Sequence, residues 1–400
     1  MNNIRKLTDS LFWVGVNDRR IALFENVYPV PTGMSYNSYV LLAEKTALFD
    51  TVDASFTHDF LENVTAALKG RTLDYLIVNH MEPDHCASIA DVIAVYPEAK
   101  IVCTAKAVGM MKQFFDFDVD SRAILVKEGD TISLGSHELT FVMAPMVHWP
   151  EVMVTYEKTE KILFSADAFG SFGAVDGNIF ADEIDDKVAW LSEARRYYTN
   201  IVGKFGMSVQ GLLKKAAGLE IRMICPLHSV IWREDLPWLI DKYLKWSSYT
   251  PEEKSVTIAY GSVYGHTEKA ADILAGKLAD RGIRHISVFD VSKTHPSYII
   301  AAAFRTSAIV FASITYNGGI FCNMDPLLHQ LAAHGLTNRT AALIQNGTWA
   351  ATTSKQMGEI LGTMKNIHVL EADVTIKSAL KDNQEAELDA LADAIAASLQ

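Results

Sequence analysis

The 400-residue chain has few of the features that mark disulfide-rich or cysteine-ligated metal proteins. It contains only four cysteines, Cys86, Cys103, Cys225 and Cys322, and no two of them form a Cys-x-x-Cys pair. This spacing excludes a disulfide framework and a fused Cys₄ iron or zinc module. We expect most of the four thiols to be buried apolar fillers.

Long hydrophobic runs and basic runs are also missing. The apolar patch at residues 11–16 is too short for the hydrophobic region of a signal peptide, and no stretch is long enough to span a bilayer. With 36 Lys and Arg residues against 48 Asp and Glu residues, the net charge is −12. That balance argues against nucleic acid and anionic membrane surfaces as partners. We therefore expect a cytoplasmic protein.

The patterning of the chain changes near residue 250. Before that point, short β-type runs alternate with turns and a few helical stretches, which is typical of an α/β sandwich with antiparallel sheets. The polar, proline-containing stretch 245–254 is expected to be a linker. The strands predicted before it are 39–42, 46–49, 75–78, 101–104, 140–144, 153–156, 161–165 and 221–225.

After the linker, strands and helical patterns alternate regularly. Five strands with helices between them predict a doubly wound parallel sheet of flavodoxin size. Since 400 residues also exceed what one core normally organises, we predict two domains, residues 1–250 and residues 251–400. The strands predicted in the second domain are 255–260, 285–289, 308–312, 340–345 and 366–370.

Residues 80–85, with the sequence His-Met-Glu-Pro-Asp-His, concentrate four side chains that bind metal. They follow the apolar run 75–78, and a ligand-rich loop at the end of a buried strand is typical of a metal site. Carboxylate and imidazole together suit iron or manganese, whereas a single zinc site is usually richer in nitrogen or sulfur. The four candidate ligands are His80, Glu82, Asp84 and His85.

Three further candidates, His148, Asp167 and His228, follow later predicted strands. Taken alone, either histidine is more often structural, and Asp167 could stabilise a turn. With the loop at 80–85 they make a set of four histidines and three carboxylates. One tetrahedral ion cannot use seven ligands, but two metals that share a bridging carboxylate can, with open positions for substrate.

The loop at 80–85 resembles the His-x-His-x-Asp-His loop of metallo-β-lactamase-like hydrolases, with Glu82 where that family usually has histidine. The complete pattern is similar to that of the flavodiiron proteins, also called A-type flavoproteins: His-x-Glu-x-Asp-His, then His, Asp and His. The resemblance covers essentially the whole chain. It implies a metallo-β-lactamase-like αββα sandwich followed by a flavodoxin-like doubly wound parallel sheet.

The resemblance also implies a role for each ligand. The run at residues 194–198 resembles the family too, in which a tyrosine of this region approaches the open face of the metals. The sequence does not choose between Tyr197 and Tyr198 for that position. The family arrangement implies that Asp167 bridges two irons, one held by His80, Glu82 and His148 and the other by Asp84, His85 and His228.

Three loops after predicted strands of the second domain support the same interpretation. The first resembles the flavodoxin loop Ser-x-Tyr-Gly-x-Thr and precedes a helix, whose N-terminal N–H groups and hydroxyls bind the FMN phosphate. In flavodoxin-like domains the other two loops hold the isoalloxazine ring, and Trp349 is a candidate for stacking or edge contact. The predicted FMN-binding residues are Ser262, Val263, Tyr264, Gly265, His266 and Thr267, then Ser313, Ile314, Thr315, Tyr316, Asn317, Gly318 and Gly319, then Asn346, Gly347, Thr348, Trp349 and Ala350.

The activity implied by the resemblance is that of an oxygen reductase, a nitric oxide reductase or both. Reduced FMN and a diferrous pair hold four electrons, enough to take dioxygen to water, and two nitric oxide molecules need only two electrons to give nitrous oxide. The family's separate electron donor is mostly rubredoxin, with reduced deazaflavin in some archaeal members. The resemblance implies that each flavin faces the diiron site of a partner subunit, so we expect a head-to-tail homodimer or a dimer of dimers.

Two other classes are weighed against this one. A zinc-dependent hydrolase of the metallo-β-lactamase type would use the same scaffold, but Glu82 and the flavodoxin-like half argue against it. An FMN electron-transfer protein with a vestigial metal half is disfavoured by the complete set of seven ligands. The preference between oxygen and nitric oxide stays open.

Overall fold

A computed structural model describes all 400 residues, which form two compact units. Unit 1 comprises Met1–Tyr198 and Met207–Leu244, and unit 2 comprises Thr199–Gly206 and Lys245–Gln400. The predicted linker at 245–254 is shorter than expected, because a helix continues to Ser247 and a strand begins at Glu253. None of the helices combines the length and the apolar character needed to cross a membrane.

Unit 1 is built on two sheets. A seven-stranded sheet has the order β1-β2-β7-β8-β9-β10-β11, a five-stranded sheet has the order β12-β13-β14-β15-β16, and β3-β6 and β4-β5 form small pairs. The strands are β1 (Arg5–Lys6), β2 (Leu11–Trp13), β3 (Val16–Asp18), β4 (Leu23–Phe24), β5 (Tyr28–Pro29), β6 (Met34–Tyr36), β7 (Tyr39–Leu42), β8 (Thr46–Phe49), β9 (Tyr75–Ile77), β10 (Lys100–Cys103), β11 (Ala123–Leu125), β12 (Thr131–Ser133), β13 (Glu138–Met143), β14 (Met153–Glu157), β15 (Ile162–Phe164) and β16 (Met223–Cys225).

The two sheets pack face to face around one apolar core. Strands β8 and β15 are buried along their whole length, as expected for apolar strands covered on both sides. Phe49 of the first sheet stacks on Phe164 of the second, with ring centroids 3.7 Å apart. The core therefore lies between the sheets, as the sandwich prediction requires.

The prediction of antiparallel sheets holds for only part of unit 1. Strands β8, β9, β10 and β11 are mutually parallel, and β15 is parallel to β16. Helices cross over between these strands, and such a crossover returns the chain in the same direction. The helices of the first 247 residues are α1 (Thr57–Leu68), α2 (Pro83–Cys86), α3 (Ile89–Val95), α4 (Ala105–Phe114), α5 (Lys187–Tyr197), α6 (Gly206–Ala216) and α7 (Leu236–Ser247), with 3₁₀ turns at Ala54–Phe56, Ala181–Glu183 and Gly203–Phe205 and a π-helical turn at Tyr198–Val202.

Unit 2 contains a five-stranded sheet in which every neighbouring pair is parallel, in the order β18-β17-β19-β20-β21. This is the strand order of flavodoxin-like folds, in which ligands bind at the carboxyl ends of the strands beside the switch point. The elements are β17 (Glu253–Gly261), α8 (His266–Asp280), β18 (Ser287–Asp290), α9 (Pro296–Arg305), β19 (Thr306–Ile314), α10 (Met324–Ala333), β20 (Arg339–Asn346), α11 (Thr353–Leu361), β21 (Ile367–Ile376) and α12 (Glu385–Ser398), with a 3₁₀ turn at Asp382–Gln384.

Alternate side chains of the unit 2 strands point to two different cores. Ile309 and Phe311 pack with helices α9, α10 and α11, whereas Val310 and Ala312 pack with α8 and α12. This follows from the two-residue period of a strand. All five predicted strands are present, and the predicted doubly wound architecture is confirmed.

Candidate functional site

The seven predicted metal ligands lie together in unit 1, at the ends of strands. His148 follows β13, Asp167 follows β15 and His228 follows β16, and these three strands run in one direction because β14 is antiparallel to its neighbours. Their carboxyl ends therefore share one edge of the sheet. The ligands form two groups in which the ligand atoms lie within 4.8 Å of one another: His80, Glu82, His148 and Asp167, and Asp84, His85 and His228.

The loop that carries four of these side chains is held from behind by Asp50, at the end of β8. The Asp50 carboxylate accepts hydrogen bonds from the backbone N–H of Asn79 at 2.7 Å, from the Asn79 amide at 2.8 Å and from the backbone N–H of His80 at 3.1 Å. Burial raises the pKa of Asp50 to about 6, although these bonds work against the rise. Pro83 then begins helix α2, where a missing N–H costs nothing, and turns Asp84 and His85 back towards the site.

Asp167 faces both groups of ligands at once. Its Oδ2 atom lies 3.2 Å from Nε2 of His80 and 3.1 Å from Nε2 of His148. Its Oδ1 atom lies 3.3 Å from Nε2 of His85 and 3.6 Å from Nε2 of His228. Burial by itself raises the pKa of Asp167, but the neighbouring imidazoles, His80 above all, outweigh it and hold that pKa well below its ordinary value.

Buried carboxylate oxygens without hydrogen-bond partners show that the residues fit metal ions. Both oxygens of Asp84 and both oxygens of Asp167 are in this state, and the nitrogens near them are not in hydrogen-bonding geometry. Unpartnered buried anions are costly, whereas a shared cation satisfies several of them together. Three carboxylates and four imidazoles arranged in two groups fit a pair of divalent ions.

Two of the histidines are oriented by groups that the sequence analysis did not identify. Nδ1 of His80 lies 2.8 Å from the Glu151 carboxylate, and Nδ1 of His228 donates to the backbone carbonyl of Ser35 at 2.7 Å. A proton held on Nδ1 leaves the lone pair of Nε2 for a metal. The signal for Glu151 was its position three residues after His148, in His-Trp-Pro-Glu. Nothing local marks Ser35.

The structure distinguishes the two candidate tyrosines. Tyr197 is fully buried, and its ring packs edge-on against His228 at 5.4 Å between centroids. Its hydroxyl has no hydrogen-bond partner, and burial together with the charge of Asp167 raises its pKa well above the ordinary value. The ring of Tyr198 instead packs against Tyr243, with centroids 5.1 Å apart. Tyr197 is therefore the one beside the candidate ligands.

Glu25 is a further residue at the site that sequence reasoning missed. It lies in the turn between β4 and β5, where its φ is +50°. The residue as a whole is exposed, but its carboxyl group is shielded and lies close to that of Glu82. Burial of that group, and then the contact with Glu82, raise the pKa of Glu25 to about 8. No local pattern distinguishes this glutamate from an ordinary turn residue.

The three predicted FMN loops lie at the carboxyl ends of the adjacent parallel strands β17, β19 and β20 in unit 2. In the first, Gly265 adopts φ +86° at the N-cap of α8 and donates its N–H to Ser262 Oγ at 3.1 Å. The first-turn amides of α8 have no acceptor within the helix, which is the usual phosphate-binding arrangement. The sheet order thus gathers loops that lie far apart in sequence.

The second and third loops are hydrogen-bonded to each other, and the first and third loops carry highly exposed aromatic rings. The Thr315 N–H donates to the Asn346 carbonyl at 2.7 Å. Trp349 is 95% exposed and Tyr264, in the first loop, is 88% exposed. Exposed aromatic rings beside a helix N-terminus fit a ligand that has both a flat ring and a phosphate.

Comparison with known proteins agrees with these two units. Residues 34–229 match the family model described as ODP family beta lactamase. Anaerobic nitric oxide reductase flavorubredoxins from Escherichia coli O1:K1 and Shigella flexneri are 29% identical over 388 residues, which is 94% of this chain and 78% of theirs.

Solved structures of similar fold match essentially the whole chain. The rubredoxin oxygen:oxidoreductase of Desulfovibrio gigas matches with a TM-score of 0.92 and 28% identity, over 99% of this chain and 98% of that one. The flavodiiron protein of Giardia intestinalis matches with a TM-score of 0.93 and 25% identity, over 100% of this chain and 98% of that one.

Fold and site together define a two-domain protein that joins a β-lactamase-like sandwich to a flavodoxin-like sheet. The chain is similar to the flavodiiron proteins over its whole length, and the resemblance found in the sequence is confirmed. The predicted fold class is confirmed as well, and the predicted oxidoreductase class agrees with the names of these relatives. The roles of individual residues stay predictions.

Proposed function

We propose that this protein is a flavodiiron oxidoreductase that reduces dioxygen to water, nitric oxide to nitrous oxide, or both. The observation that carries the proposal is the position of Asp167, whose two carboxylate oxygens face two separate groups of ligands. A bridging carboxylate between two ligand groups is the arrangement expected of a two-metal centre. The names of the relatives support these two substrates.

The seven side chains are proposed to hold two irons. Iron is favoured over zinc because each ligand group contains carboxylate: Glu82 Oε2 lies 3.0 Å from His148 Nε2, and Asp84 Oδ2 lies 3.2 Å from His85 Nε2. When bound, the irons supply Lewis acidity and two electrons, and FMN supplies a further two. The proposed iron ligands are His80, Glu82 and His148 in one group, Asp84, His85 and His228 in the other, and Asp167 between them.

The remaining side chains of the site are proposed to orient the ligands and to exclude water. Glu151 and the Ser35 carbonyl keep protons on the outer nitrogens of His80 and His228. The ring of Phe24 packs edge-on against His228 at 5.5 Å and closes that side. Tyr197 keeps its proton because its pKa is high, so its hydroxyl is available as a donor on the ligand side. We propose Tyr197, and not Tyr198, as the catalytic tyrosine.

The three loops at residues 262–267, 313–319 and 346–350 are proposed to bind FMN, so that residues 1–250 carry the metal chemistry and residues 251–400 the flavin. We propose a separate electron donor, rubredoxin or alternatively a reduced deazaflavin. One structural relative is named a rubredoxin oxygen:oxidoreductase, which supports the first. A head-to-tail homodimer or a dimer of dimers would bring each flavin to a partner's metal site.

We propose a cytoplasmic location on the basis of cysteine chemistry. All four cysteines are free thiols, and three of them are buried. Burial raises the pKa of Cys86 and of Cys103 to about 12, which keeps both unreactive. Free thiols of this kind suit a reducing compartment.

Anaerobic purification followed by metal and flavin analysis tests the proposal. We expect two irons and one FMN per chain, and rapid oxidation of the reduced protein by oxygen, nitric oxide or both in anaerobic stopped flow. An Asp167→Asn variant should retain flavin and lose metal. Zinc without flavin in the native protein would overturn the proposal.

A further inference from the structure

Asn346 differs from the exposed end of the third loop in unit 2. It is the last residue of β20 and only 2% exposed, whereas Thr348, Trp349 and Ala350 are exposed. Its side chain contacts two partners through Nδ2. One is the hydroxyl of Thr267 in α8, at 3.3 Å, and the other is the backbone carbonyl of Ser378, at 3.1 Å.

The Ser378 contact determines which way the Asn346 amide points. A backbone carbonyl can only accept a hydrogen bond, so the atom that faces it must be the NH₂ group. The second hydrogen of the same group is then directed to Thr267 Oγ1, which acts as acceptor. The hydroxyl hydrogen of Thr267 is thereby turned away from Asn346.

This arrangement leaves a donor uncommitted at a helix N-terminus. The Thr267 side chain is fully buried and has no other hydrogen-bond partner. Thr267 is the second residue of α8, and no side chain caps that helix. Oδ1 of Asn346 is buried without a donor, a cost that an apolar residue of similar size would avoid. An asparagine at position 346 therefore leaves its buried Oδ1 unpartnered, but it supplies the NH₂ group that contacts Thr267 and Ser378.

We propose that Asn346 is a positioning residue for the phosphate of FMN: its amide holds the Thr267 hydroxyl as a donor towards a phosphate ester at the N-terminus of α8. The inference rests on the proposed function, because it needs FMN as the ligand. It assigns Asn346 to the phosphate end, whereas the sequence analysis predicted that its loop contacts the ring. Substitution of Asn346 should therefore weaken the binding of FMN, which has the phosphate, and leave the binding of riboflavin unchanged.

The test is a comparison of FMN with riboflavin on the full chain after removal of its flavin. Dissociation constants are measured by quenching of flavin fluorescence for the native protein, Asn346→Leu, Thr267→Val and the double variant. We expect the riboflavin-to-FMN ratio of dissociation constants to fall about tenfold in each single variant, the scale of one hydrogen bond to a charged group. The double variant should show no larger fall than Thr267→Val alone, because Asn346 acts through Thr267.

Asn323→Leu is the matched control. The Asn323 amide donates to the Val291 carbonyl at 3.2 Å in the same unit, so the variant removes a similar contact elsewhere and should leave the ratio unchanged. If the leucine variant at 346 does not fold, Asn346→Ser provides the same comparison. An unchanged ratio in the Asn346 variant, or additive losses in the double variant, would overturn the inference. Failure of the native protein to bind FMN at all would instead overturn the proposed function.

Discussion

Nδ1 of His80 lies 2.8 Å from Oε1 of Glu151, and both side chains are fully shielded from solvent. The same oxygen accepts the backbone N–H of Met81 at 2.9 Å. A carboxylate in this position fixes the outer nitrogen of an imidazole and turns its inner nitrogen towards the metal. The candidate metal centre therefore depends on side chains that are not themselves ligands.

Replacement of Glu151 by alanine should weaken metal binding without removing a ligand. We expect about a 10- to 100-fold loss of iron affinity, the range for loss of a carboxylate behind a ligand histidine. Iron content measured during titration with a competing chelator checks this. Glu157→Ala is the control, because Glu157 forms a similar buried pair with His137 at 3.0 Å, outside both ligand groups. Equal iron affinity in native and Glu151→Ala protein would contradict the assignment.

Removal of the two aspartates should distinguish a bridge from a terminal ligand. Asp167→Asn alters a carboxylate that contacts both groups, so both irons should be lost or weakened. Asp84→Asn alters one that lies near His85 and His228 only, so one iron per chain should remain. Metal analysis of the two variants, with Asp182→Asn outside both ligand groups as control, measures the difference. If both variants keep the same amount of iron, Asp167 is not a bridge.

Substitution of each tyrosine by phenylalanine should separate their roles. Tyr197→Phe removes a buried hydroxyl that has no partner, so stability should stay the same or rise slightly. The rate of oxidation by oxygen or nitric oxide should fall, by about 10²-fold if the hydroxyl donates during the reaction. Tyr198→Phe should leave that rate unchanged. Anaerobic stopped flow and urea denaturation provide the two measurements, and a larger rate effect at Tyr198 would reverse the assignment.

Gly170 lies where an added side chain would crowd the candidate metal centre. A Cβ there would lie 3.1 Å from the Asp167 carbonyl oxygen, 3.3 Å from His228 Cβ and 3.3 Å from Tyr197 Cε1. Gly170→Ala should therefore lower the free energy of unfolding by about 1–3 kcal/mol, the scale of overpacking, and disturb metal binding.

Gly109→Ala is the matched control for Gly170. Gly109 lies inside α4 with nothing within 4 Å of the added Cβ. That change should raise the free energy of unfolding by about 0.5–1 kcal/mol because alanine is the better helix former. Urea titration of both variants measures the two changes in the free energy of unfolding, which should have opposite signs. A Gly170→Ala protein as stable as the native one would show that the neighbours can move aside.

The seven candidate ligands were found from the sequence because each follows an apolar strand, and a strand exit is a local pattern. The supporting residues were not found, because their contacts are long-range. His228 and Ser35 are 193 positions apart, and His80 and Glu151 are 71 apart. Tyr197 and Tyr198 are neighbours at the end of α5, and about 100° of helical rotation between them sends one ring to His228 and the other to Tyr243.

By itself, the sequence determined the class of both units, the order of their strands along the chain and the set of side chains available for metal, because hydrophobic period and ligand spacing are short-range properties. Only the tertiary structure decided that Asp167 divides its oxygens between two groups, that Tyr197 is the tyrosine beside the ligands, and that Asn346 holds Thr267 across 79 positions. The physical reason is that the strength of these contacts depends on the orientation of the side chains. A hydrogen bond or a ligand contact needs a particular atom at a particular angle, and that angle is set by packing between distant strands and helices.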